Sequence, residues 1–97
     1  MMVRLEYAQQ RLVEAMELLI CSDGRMEYRL TSALNILLLI NPQTLPESLM
    51  ETASQIWVLL ERAGGPEELV AVMTRKGRRD MASVIWDLHE RLRSLSQ

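Results

Sequence analysis

Ala33-Leu34-Asn35-Ile36-Leu37-Leu38-Leu39-Ile40 places seven apolar side chains in eight positions. Upstream, Met26, Leu30, Ala33, Leu37 and Ile40 recur every three or four residues, the spacing of one helix face. The spacing predicts a helix over 25–39 whose second half is apolar nearly all round, a pattern that belongs to a helix covered on several sides. Asn41-Pro42 ends it, because a residue before proline is pushed out of the helical region. A helix of this kind needs other helices around it, and the rest of the chain supplies them.

The same spacing runs through the flanking segments. Leu5, Ala8, Leu12, Ala15 and Leu19, widened by Met16 and Ile20, predict a first helix over 2–21. Ser22-Asp23-Gly24 breaks it, and either Ser22 or Asp23 can cap the next helix. Thr44-Leu45-Pro46-Glu47 reads as a capping box for a third helix reaching Arg62, with the stripe Leu49, Ala53, Ile56, Leu60 and Ala63. Gly64-Gly65-Pro66 ends that helix and opens a short fourth one over 66–76, where Glu67 and Glu68 suit the amino end and Arg75 and Lys76 the carboxyl end. Gly77 stops it, and Asp80 caps a fifth helix with the stripe Met81, Ile85, Leu88, Leu92 and Leu95. Asp87 and Arg91 form a supporting pair one turn apart. No strand pattern and no repeat appears. The linkers are short, which makes consecutive helices antiparallel neighbours. The expected fold is all-α: one domain over 1–97, a compact bundle of four to five short antiparallel helices.

Composition fits that fold and excludes several functions. Apolar residues make up 48% and charged residues 25% of 97 positions, so long disorder is not expected. The net charge of −2 exerts no global pull toward nucleic acid or an acidic membrane. A single cysteine, Cys21, excludes an internal disulfide framework and suits a reducing cytosol. The amino-terminal residues lack the uninterrupted apolar run of a signal peptide, and the longest apolar stretch, Ile36–Ile40, is far short of a bilayer span. A soluble, cytoplasmic protein is expected.

Candidate chemistry is sparse. A structural zinc site takes about four N or S ligands, whereas Cys21 and His89 are the only cysteine and histidine. Cys21 reads as a small buried hydrophobe and His89 as the edge of an apolar stripe. Glu14 with Glu17, and Glu47 with Glu51, share helix faces, but paired acids work as acid and base only in a pocket that perturbs them. No glycine-rich phosphate loop is present. The expectation is no enzyme, no metal and no cofactor. Arg75-Lys76-Gly77-Arg78-Arg79 concentrates four cations in five residues on a hinge between two helices. A phosphate grip by Arg75, Lys76, Arg78 and Arg79 is the alternative reading. No aromatic interleaves with the run, and Arg75 and Lys76 have a structural duty at a helix end, so a solvated charge run is preferred.

The apolar excess is more informative. Two segments ask for an all-round apolar environment, 34–40 and 56–60, and a bundle this small can cover one helix on all sides. Either both are central helices packed against each other, or one outer face binds another chain. The stripes leave Leu34, Ile36, Leu38, Leu39, Trp57, Val58 and Leu59 as additional. Among them Leu34, Leu38, Trp57, Val58 and Leu59 are the candidate partner-binding residues. The function this implies is a non-enzymatic protein–protein interaction module, a homodimer through an apolar helix face.

Three segments carry a resemblance: Ala8-Gln9-Gln10-Arg11-Leu12-Val13-Glu14-Ala15, Arg29-Leu30-Thr31-Ser32-Ala33-Leu34, and Asn41-Pro42-Gln43-Thr44-Leu45-Pro46-Glu47-Ser48-Leu49. In these the amino-terminal half resembles a family of small uncharacterised bacterial all-helical proteins. The resemblance implies a helical fold and a bacterial source; a small regulator, or an inhibitor from a mobile element, is a variant of the interaction-module reading. It brings no catalytic residues.

Overall fold

Each apolar stripe becomes the buried side of a helix. A computed structural model describes residues 2–20 and 24–95, with side chains from Glu6 onward. Five α-helices and one 3₁₀ turn succeed one another: α1 (Met2–Ile20), α2 (Met26–Leu37), the turn Pro42–Thr44, α3 (Glu47–Ala63), α4 (Pro66–Val72) and α5 (Arg75–Leu95). No strand occurs among the described residues, and the fold is an all-α bundle. Its radius of gyration is 12.7 Å, matching about 13 Å for a compact chain of this length.

The core takes Ala8, Leu12, Ala15, Met16 and Leu19 from α1, and Leu30, Ala33, Leu34 and Leu37 from α2. Leu49, Ala53, Ile56 and Leu60 come from α3, Leu69 and Val70 from α4, and Met81, Ile85, Leu88 and Leu92 from α5. Each fully buried leucine contributes about 1.5–3 kcal/mol relative to exposure. Ile20 and Leu95, expected on these stripes, are exposed; each is the last described residue of its helix.

Helix α1 packs along α2 and α5, whereas α4 and α5 each touch both α2 and α3. Helices α2 and α3, which hold most of the two apolar segments singled out in the sequence, do not lie side by side. Of the two alternatives for these segments, a central pair packed against each other is not what forms: α4 and α5 are their shared neighbours.

The boundaries differ from the sequence expectation in four places. Ser22, Asp23 and Cys21 lie outside the described residues, and α2 opens at Arg25 without a side-chain cap. Its carboxyl end tightens, with Leu39 and Ile40 donating to carbonyls three residues back. The helix thus stops at Leu37, Ile40 is buried, and Leu38 and Leu39 turn outward.

The capping box at Thr44 does not form. The Asn41 side chain accepts from the Gln43 N–H at 3.0 Å, and the Thr44 hydroxyl donates back to the Asn41 carbonyl at 2.7 Å. These local bonds commit Thr44 to the 3₁₀ turn, and Pro46 stands at the start of α3 instead.

The largest difference is at residues 73–80. Helix α4 ends at Val72, four residues early, and Asp80 is not a cap but lies inside α5. The cap is Thr74, whose hydroxyl accepts from the Gly77 N–H at 3.0 Å. Gly77 is helical rather than a terminator; a Cβ there would come within 3.3 Å of the Thr74 hydroxyl.

Candidate functional site

Helix α3 buries Leu49, Ala53, Ile56 and Leu60, so its opposite side faces outward. There Val58 and Leu59 are 45% and 44% exposed, beside a shallow apolar groove bordered by Glu51, Ser54 and Gln55. These lining residues all belong to α3. Trp57, on the flank of the same helix, is half-buried against the core. Leu38 is exposed at the end of α2, apart from that groove. Leu34 is fully buried, which corrects its placement among partner-facing residues: it fills the bundle interior. The structure thus brings Val58 and Leu59 together, and separates Leu34 and Leu38 from them.

The four cations do not form a hinge. Arg75, Lys76, Arg78 and Arg79 occupy the first turn and a half of α5, and they divide into two kinds. Arg78 points inward: its Nε and Nη2 donate to the Val70 carbonyl at 3.1 and 3.0 Å. Its Nη1 lies 2.9 Å from Glu27 Oε1. It therefore ties α4, α5 and α2 together and is not available to a phosphate. Arg75, Lys76 and Arg79 are exposed. The structural duty expected of Arg75 and Lys76 at a helix carboxyl end is absent, because they sit at the amino end of α5, where the helix dipole disfavours cations.

Placing these residues in α5 also changes their surroundings. Arg79 follows Arg75 by one turn, and Trp86 follows Arg79 by two, so all three share one side of the helix. Trp86 is 48% exposed. An aromatic residue accompanies the basic run after all, a relation hidden while 75–79 is read as a hinge and Asp80 as a helix start.

His89 is half-buried; its Nδ1 lies 3.1 Å from Glu90 Oε2, and its ring centre is 5.8 Å from that of Trp86. Among the described residues no group of three or more histidine, cysteine, aspartate or glutamate side chains could hold a metal. Glu14 is paired with Arg11 at 2.6 Å, and Glu47 and Glu51 are exposed. The groove between α2 and α4 is lined by Arg25, Glu27, Tyr28, Thr31, Glu67 and Val70 among others. The Thr31 hydroxyl there donates to the Glu27 carbonyl at 2.7 Å. No described helix is long and apolar enough to cross a membrane. No protein-family model, curated protein or solved structure matches this chain.

Proposed function

We propose that the protein is a non-enzymatic association module that pairs with a second copy of itself through the outer face of α3. The observation that carries this reading is the adjacent exposure of Val58 and Leu59 in the middle of that face, where Ser54 and Gln55 border the groove and Glu51 brings the one charge to its lining. Leaving a side chain of this size in water forgoes about 1.5–3 kcal/mol of burial. Charge placement supports a two-fold arrangement. Glu51 precedes the apolar pair and Arg62 follows it, so antiparallel α3 helices set Glu51 of one copy near Arg62 of the other, a self-complementary contact. A cytosolic, bacterial setting belongs to the same reading, supported by the lone cysteine and by the resemblance of the amino-terminal half.

Sedimentation equilibrium at micromolar concentration should report more than one chain per particle. Val58→Lys should give a folded monomer, because the side chain is already half in water. A wild-type chain that stays monomeric up to its solubility limit overturns the reading.

A further inference from the structure

We infer that the outer face of α5 binds single-stranded nucleic acid, with Arg75, Lys76 and Arg79 on phosphates and Trp86 stacked on a base. The inference is independent of the α3 contact. Its first support is charge that stability does not explain. Three exposed cations crowd the amino end of a 21-residue helix with no acid in its first turn, where each opposes the helix dipole and its neighbours. The acids farther along the helix have partners: Asp87 pairs with Arg91 at 3.3 Å, and Glu90 with Arg93 at 2.9 Å. Exposed Asp80 offsets one charge of the cluster, leaving a local excess of two.

The second support is the position of the indole. Seven residues separate Arg79 from Trp86, about 10 Å along the axis. A strand held by its phosphates at 75–79 can lay a neighbouring base on Trp86. Cations beside an exposed aromatic ring form the usual platform for single strands, because every base has a face to stack. A duplex offers no free base face. An anionic membrane fits less well, since interfacial binding needs a broad apolar face, whereas Trp86 stands between the polar residues Ser83 and Glu90, which follow one another around the same side of α5.

The experiment uses the full chain with Trp57→Phe, which leaves Trp86 as the sole tryptophan. A short oligothymidine strand at low ionic strength should quench Trp86 fluorescence, and a duplex of equal length should bind more weakly. Binding should fall with salt with a logarithmic slope of about −2 for three phosphate contacts. In the otherwise wild-type chain, Trp86→Leu should weaken binding of a fluorescein-labelled strand, read by anisotropy, about 5- to 150-fold. The combined Arg75→Gln, Lys76→Gln, Arg79→Gln variant should abolish the salt dependence while keeping the wild-type circular dichroism. Arg78 is left intact because it holds the fold. No quenching by oligothymidine, unchanged binding in the triple variant, or quenching by phosphatidylserine vesicles alone would each overturn the inference.

Discussion

Two arginines finish helices to which they do not belong. Helices α1 and α4 both lack a basic residue in the last turn, and the final carbonyls of a helix have no partners within it. Arg29 of α2 donates to the Leu19 carbonyl at 3.0 Å, and Arg78 of α5 donates twice to the Val70 carbonyl. Hydrogen bonds to charged groups contribute about 1.5–3 kcal/mol. Arg78→Met should therefore lower unfolding stability in urea by about 2 kcal/mol. Arg78→Lys should recover little, because an ammonium cannot present the planar fork that reaches Val70 and Glu27 together. Arg79→Met, one residue on, should change stability by less than about 0.5 kcal/mol. Equal effects at 78 and 79 would refute the assignment. The sequence shows these two residues as members of one basic run. Their difference depends on Val70 and Glu27, which are 8 and 51 positions from Arg78, and no local pattern reports such a contact.

At the scale of the element, the buried faces are the part most readily read from periodicity, and the ends are the part least so. Met81, Ile85, Leu88 and Leu92 are buried as their spacing requires. The start of α5 is a different matter, because several residues around it carry conflicting signals. Gly77 is a common terminator and Asp80 a good cap, yet Thr74 is also a cap, and accepting its bond extends α5 by more than a turn. The longer helix wins because it also lets Arg78 reach the end of α4. Thr74→Ala should then cost about 1 kcal/mol of stability. Asp80→Ala should cost almost nothing, as its side chain caps no helix end. A thermal melt of the two variants distinguishes the two starts. A larger loss for Asp80→Ala would restore the shorter helix.

For the whole molecule, the question raised by the sequence was where seven surplus apolar residues go. The bundle buries Leu34, half-buries Ile36 and Trp57, and leaves Leu38, Leu39, Val58 and Leu59 exposed. The excess was legible in the chain, but its division between core and surface was not. That division follows from which helices become neighbours: α4 and α5 cover α2 and α3 on particular sides, and the tightened end of α2 sends Leu38 and Leu39 outward. The turn after α3 has a consequence at this scale. Gly64 and Gly65 both adopt positive φ, and both N–H groups close onto the Leu60 carbonyl, so the preceding helix is complete before the chain enters α4. The backbone between Gly64 and Gly65 therefore serves mainly as a tether, and the assembly can survive its loss. A polypeptide ending at Gly64 and a second one starting at Gly65 should each be poorly ordered alone, since α5 packs on α1 and α4 on α2. Mixed in equal amounts, they should recombine into the same bundle, with a gain in helical circular dichroism over the sum of the separate pieces. Introducing Arg78→Met into the shorter piece should weaken that complementation.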